Sequence, residues 1–268
     1  MNYIPLSYAD LLLASLLLLI NGILSVIFSL GLLKRLVIAV TRMVVQLLLV
    51  GSILSWLFAA SSLLWTSLAA LVMVGFAGYE IVARQDRPLK GFWSLGLGAG
   101  SMTIASLVIV LLALTTQIRP DPWYHPQYMI PVLGMILGNT MTGVSLGLNT
   151  LTNAVRREAD AIEAGLILGQ TRHKAMQGVI RQSLRNGLMP LINAMSVMGL
   201  VSLPGMMTGQ ILAGAAPQDA VKYQILIMFL IGGSTGFGVI ISVLGASLRL
   251  SDNRHRLRLD RLETRKQG

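Results

Sequence analysis

The chain has 268 residues, 54% hydrophobic and 12% charged, with a formal net charge of +10 and a mean hydropathy of +0.71. Soluble domains carry roughly a quarter charged residues, so a water-soluble globule is excluded, and the apolar content excludes disorder. Cysteine is absent, which removes disulfides, thiolate metal sites and thiol nucleophiles. The three histidines, His125, His173 and His255, are far apart and lie outside the apolar runs, which argues against a zinc enzyme.

A bilayer core of ~30 Å needs about 20 mostly apolar residues per helix. Seven stretches qualify: 8–30, 36–57, 63–82, 92–114, 129–151, 188–212 and 223–248. The expected fold is all-α, a polytopic membrane protein of about seven transmembrane helices. One transmembrane domain spans 1–268, with a cytoplasmic loop at 152–187 and a basic tail at 249–268. No basic residue precedes the first stretch, which reads as a retained span and not a leader.

Lys and Arg collect in cytoplasmic connections. Lys34 and Arg35 follow the first span, and Arg84, Arg87 and Lys90 the third. Arg156, Arg157, Arg172, Lys174, Arg181 and Arg185 follow the fifth. The tail holds Arg249, Arg254, Arg256, Arg258, Arg261, Arg265 and Lys266. These are 18 of the 21 basic residues; the alternate connections hold only Arg119 and Lys222. The N-terminus is therefore expected outside and the C-terminus inside. Anionic headgroups account for the positive charge without a nucleic-acid partner.

In the second span Arg42 and Gln46 form an i, i+4 pair, with Arg42 near enough to the inner surface to snorkel. In the third, Glu80 precedes Arg84 by four residues and reads as its ion-pair partner. The fifth span carries Gly134/Gly138 and Gly143/Gly147, small pairs on opposite faces, so packing is expected on both sides. It also carries Asn139, Thr140 and Thr142, whose plainest role is hydrogen bonding between helices.

The connection that follows is the long one. Gly169-Gln170-Thr171 reads as a helix stop followed by an N-cap. Before it, Ile162 and Leu166 share a face; after it, Met176, Val179, Ile180 and Leu184 form an apolar stripe opposite Lys174, Arg181 and Arg185. Such a helix suits a membrane surface, a groove on a partner, or a solvated connector.

The sixth span holds Asn193, Ser196 and Ser202, and is interrupted at Pro204-Gly205. Pro204 is expected to remove a helical donor, and broken helices commonly line cavities. Met206, Met207, Thr208 and Gly209 follow; thioethers suit Cu(I) and, less well, Fe(II), although packing is the blander role for methionine. Gly205/Gly209 and, in the seventh span, Gly232/Gly236 are further small pairs. No Gly-x-x-x-x-Gly-Lys-Ser/Thr occurs, so a P-loop ATP site must lie on another subunit if ATP is used.

Two resemblances follow from these residues. Glu163-Ala164-Gly165 with Gly169 four residues later resembles the start of the cytoplasmic loop by which ABC importer permeases grip their ATPases. The later Ile-x-Leu-Pro of that pattern is not reproduced; Arg181 and Gln182 stand about where it would fall. The runs 134–139, 197–214 and 220–225, with Leu-Pro-Gly-Met-Met-Thr-Gly at 203–209, resemble the FetB-type iron-export ABC permease family, which includes plant relatives tied to aluminium tolerance.

The resemblance implies an ABC-type ATPase partner, Mg-ATP bound there and no cofactor on this chain. It also implies a permease homodimer in the bacterial inner membrane, exporting iron. The expected coupling residues are Glu163, Ala164, Gly165, Gly169 and Thr171. The expected path is lined by Asn139, Asn193, Ser202, Pro204, Gly205, Met206, Met207 and Thr208. Alternatives are another cargo (a different metal or a nucleotide-sugar) or an ATP-independent secondary transporter. A membrane enzyme lacks the paired acids or histidines it would need.

Overall fold

The computed structural model describes residues 7–252, 254 and 256–263. Of the tail residues, His255, Arg265 and Lys266 lie outside the described residues. Ten α-helices account for the described architecture, and no strand is present among those residues. The chain divides into two compact units, up to Ala60 and from Ser61.

The first unit is a helical hairpin, α1 (Tyr8–Ile27) and α2 (Leu33–Ala60). Ser7 caps α1 by accepting from the Asp10 backbone N–H, while the Asp10 carboxylate accepts from Ser7 in return, a capping box. The hairpin turn is tied by Ser25, whose carbonyl accepts from Leu30 N–H and whose hydroxyl accepts from Leu32 N–H. Arg42 is exposed on α2.

The second unit holds α3 (Leu63–Ala83), α4 (Phe92–Leu112, continued by a π-helical stretch, Ala113–Ile118), α5 (Pro126–Arg157), α6 (Ala159–Ile167), α7 (Arg172–Ala175), α8 (Gln177–Val197), α9 (Gly205–Leu212) and α10 (Pro217–Arg249). The long helices α5 and α10 each begin with proline at their first position, where the missing N–H costs nothing. They form the centre, with α3, α4 and α8 packed around α5.

Six helices among the described residues are long and apolar enough to cross a bilayer: α1 to α5 and α10. The expected sixth span, 188–212, is instead two helices, α8 and α9, separated by the irregular segment 198–204. The charged piece expected to be a separate amphipathic helix is the first half of α8, so the loop at 152–187 is mostly helix continued from its neighbours. Pro204 does not sit inside a helix. It is the extended N-cap of α9, and its carbonyl accepts from Thr208 N–H. The proline of this region that does sit inside a helix is Pro190, which removes the donor that would serve the Asn186 carbonyl, as Pro131 does for Gln127 in α5.

Three hydroxyls knit the centre. Ser234 of α10 lies 2.9 Å from Thr140 of α5 and 3.2 Å from Ser106 of α4, all buried. Asn139 and Thr142, by contrast, donate to carbonyls of their own helix, at Met135 and Gly138. The helices cross most closely at glycine. A Cβ on Gly187 would lie 2.9 Å from the Gly143 carbonyl oxygen and 2.8 Å from Val239, and one on Gly143 would lie 2.9 Å from the Gly187 oxygen. The two expected faces of α5 are both used, since a Cβ on Gly134 would meet Met73 of α3 and one on Gly147 would meet Val243 of α10. A Cβ on Gly205 or Gly209 would meet nothing within 4 Å, so that pair makes no close crossing within the chain; of the pair in α10, a Cβ on Gly232 would lie 3.2 Å from Met195 and one on Gly236 would meet nothing.

These contacts fix direction. Gly143 meets Thr235 and Gly147 meets Val243, so α5 and α10 run parallel; Gly143 meets Gly187 and Gly147 meets Ser183, so α8 runs antiparallel to them. The break and α9 thus complete the crossing that α8 begins, and α10 returns to the starting end.

That end gathers the basic segments. Lys90 N–H donates to the Arg261 carbonyl at 2.8 Å and Glu263 N–H to the Pro88 carbonyl at 2.9 Å. Arg249 stacks over the Trp93 ring at 4.4 Å. Asp86 accepts from Asn149 and Asn153 of α5, at 3.1 and 3.2 Å. Glu80 and Arg84 pair at 3.5 Å, as their spacing predicts.

Candidate functional site

The segment between α5 and α8 folds as its residues dictate. The end of α6 is closed by Gly169 at φ +84°, with Gly169 N–H donating to Leu166 and Gln170 N–H to Gly165. This is the paired Schellman arrangement, which places glycine where a left-handed residue is required. Thr171 then caps α7, its hydroxyl accepting from Lys174 N–H. A Cβ on Gly165 would lie 3.0 Å from the end of the exposed Gln170 side chain, which is free to swing aside.

One face of this segment is spent inside the molecule. Ile162, Met176, Val179 and Ile180 are buried, with Leu166 and Leu184 packed against the same core. The apolar stripe of the cationic helix therefore covers its own bundle, and is not left for a membrane surface or a partner's groove. What remains outward is Glu163 and Ala164 beside Ile167 and Leu168, which are 85% and 83% exposed. Two adjacent aliphatic side chains at a helix end, bare to this degree, are the unpartnered feature of the segment; reading it for glycines and acids passed over them.

A second feature runs along α5 and α8. Asn149, Thr150 and Asn153 of α5, with Gln182 and Asn186 of α8, line a polar pocket of about 250 Å³ closed by Arg157. Asn186 donates to the Thr150 hydroxyl at 3.4 Å. By helical periodicity Asn139 and Thr142 continue the α5 face, and Asn193 continues the α8 face. The sequence pattern carried this signal in the spacing 182, 186, 193, but the first two positions read as part of the cytoplasmic connection and the third as part of the sixth span.

The expected path residues are not gathered at one point. Asn139 and Asn193 are exposed on the groove faces. Ser202 sits in the irregular segment, its carbonyl accepting from Gly199 N–H. Gly205 opens α9, and the Thr208 hydroxyl donates to the Pro204 and Gly205 carbonyls. Met206 packs against the core, whereas Met207 lines a separate cavity with Pro204. Among the described residues no group of three His, Asp or Glu side chains comes together.

The sequence of these parts has close counterparts. A protein from Bacillus subtilis, UPF0014 membrane protein YjkA, is 35% identical over 88% of this chain and 93% of its own length. The Escherichia coli protein called probable iron export permease protein FetB is 33% identical over 88% of each chain. The Arabidopsis thaliana protein ALUMINUM SENSITIVE 3 is 31% identical over 82% of this chain and 78% of its own length. No solved structure matches. The model of the uncharacterised protein family UPF0014 matches residues 8–250, from the first turn of α1 to the end of α10, and the chain belongs to that family of multi-pass membrane proteins.

Proposed function

We propose that this chain is the permease subunit of an ABC exporter, that iron is its cargo, and that two copies pair with a separate ATPase at the bacterial inner membrane. The exposed Ile167–Leu168 pair carries the reading. A knob of two bare aliphatic residues, flanked by Glu163 and held by Gly169 and Thr171, suits insertion into a cleft of a soluble partner. This sequence carries no P-loop, so on this reading Mg-ATP is bound by that partner. The name of the Escherichia coli relative, probable iron export permease protein, supports iron as cargo.

The mechanics follow from α8. Closure of the ATPase presses on α6 and α7, which are anchored to the bundle by Ile162 and Met176. The push passes into the continuous helix α8 and is absorbed beyond it, in segment 198–204. The polar faces of α5 and α8 look outward from one copy, which is costly against lipid; a second copy covers them and encloses a lumen between Asn139, Asn153, Asn186 and Asn193. Energy enters only through the ATPase's different affinity for the two arrangements.

The test is co-purification with an ABC-type ATPase co-expressed from the same genome, combined with cellular iron measurement. Ile167→Asp with Leu168→Asp is expected to abolish co-purification and raise cellular iron to the level of a strain lacking the chain, while membrane insertion is unchanged. Undiminished association and normal iron in the double variant would refute the coupling assignment.

A further inference from the structure

Beyond the crossing of α5 and α8 lies a second cavity of about 500 Å³, bounded by the end of α8, the irregular segment, α9 and the first turns of α10. Met195, Met198, Met207 and Met228 all line it, with Gln224 among them. The four methionines come from three helices and the break, so their convergence is made by the fold and not by one methionine-rich stretch. Gln224 is 7% exposed. Its amide donates to the Met198 sulfur at 3.9 Å, and its carbonyl oxygen is buried with no hydrogen-bond partner. A methionine used as filler packs against a core, as Met206 does. Met195, Met198 and Met207 border the cavity without joining that core, and Met228 both borders the cavity and packs against the core.

We propose that this cavity binds a soft monovalent cation of the Cu(I) class, held by the thioethers with the Gln224 carbonyl as a supplementary ligand. Thioethers are neutral, polarisable donors that favour Cu(I) and its close analogue Ag(I). No carboxylate, imidazole or thiolate lines the cavity, so zinc, magnesium and calcium find neither the ligands nor the counter-charge they require. A single positive charge is also the least costly to strip of water in apolar surroundings without an anion. The bound ion would give the Gln224 oxygen the partner it lacks. Binding here is an equilibrium property of the chain alone, so it stands or falls independently of the ATPase and the iron reading.

The test uses the 268-residue chain in detergent and chloride-free buffer. Ag(I) is titrated by calorimetry, and Cu(I) anaerobically against a chromogenic chelator. The wild type is expected to take one ion per chain. Met198→Leu with Met207→Leu, changes that nearly conserve volume, is expected to weaken binding by at least about tenfold, and Met206→Leu to leave it unchanged. In a second measurement, mass spectrometry after brief peroxide treatment should show Ag(I) shielding Met198 and Met207 from oxidation, with Met206 unaffected. The proposal is overturned if the double variant titrates like the wild type, if the shielding is absent, or if excess Zn(II) displaces Ag(I).

Discussion

The two halves of α8 obey different rules. Every buried residue of the helix, Val179, Ile180, Ser183 and Gly187, falls in its first half; none follows Gly187, and α9 has none at all. The first half is pinned where backbones meet at Gly143 and Gly187 and where Met176 and Ile180 enter the core. The second half borders a cavity at Met195 and ends at an irregular segment in which Leu200 is 94% exposed. A helix held at one end and loosely packed at the other moves as a lever about its held end. Local stability rises with the number of buried contacts, so opening motions belong to the half that has few.

The sharpest way to break this contrast is to add one methyl group to the pinned half of α8 and one to the loose α9 that follows its other half. Gly187→Ala forces a Cβ to within 2.9 Å of the Gly143 oxygen and 2.8 Å of Val239. Overpacking of this kind costs roughly 1–3 kcal/mol, to be read as a lowered unfolding midpoint in detergent. Gly209→Ala, inside α9, meets nothing within 4 Å. It is expected to stabilise α9 by roughly 0.5–1 kcal/mol, because alanine replaces glycine in a helix interior without a clash. Equal effects at the two sites would remove the distinction between a pinned and a loose half.

A smaller effect tests the centre against which the first half is pinned. Ser234→Ala removes the hydroxyl shared by Thr140 and Ser106, leaving both in buried surroundings. Hydrogen bonds between transmembrane helices are worth ~0.6–2 kcal/mol, so the unfolding midpoint should fall by less than in Gly187→Ala. Thr142→Ala should leave it nearly unchanged, since that hydroxyl serves only the Gly138 carbonyl of its own helix.

Much of this was legible beforehand, for physical reasons. Apolar length announces a span in the sequence, and the stop-and-cap at Gly169 and Thr171 is local chemistry, needing no knowledge of neighbours. Helical spacing puts Ile162, Met176 and Ile180 on apolar faces, but nothing local says that those faces are buried in their own bundle. Other features depend on what lies across the bundle. Nothing local distinguishes Gly187, the close crossing, from Gly209, which faces open space. Nothing local separates Met206 from Met207, though consecutive helical side chains point about 100° apart. Residues 182–186 read as part of a cytoplasmic helix apart from the sixth span, because charge suggested an aqueous surface, whereas one helix continues beyond the apolar layer when its inner face has a core to bury.

The smallest effect concerns the strap that closes the pinned end. Asp252 accepts from the Arg256 and Arg254 backbone N–H groups and from the Arg256 guanidinium, each at 2.9 Å. The Arg256 backbone bond is foremost in holding its carboxyl below the usual range. Asp260 is gripped by both arms of Arg258 at 2.8 Å, and that hydrogen bonding lowers it to about 2. A carboxyl depressed in the docked tail takes up its proton more readily when the tail is released. The stabilisation is therefore complete above the ordinary carboxylate value of about 4 and is lost as pH falls from there towards about 2. Hydrogen exchange at the Lys90 and Glu263 amides, which join the tail to the α3–α4 connection, reports this directly. Protection corrected for intrinsic rate should be flat from neutral pH down to about 4.5 and decline below it. Asp252→Asn with Asp260→Asn should lower protection at neutral pH and flatten the decline. If the wild type keeps full protection through the acid range, the strap is held by Leu250 and Leu262, which are buried, and the carboxylates contribute nothing to it.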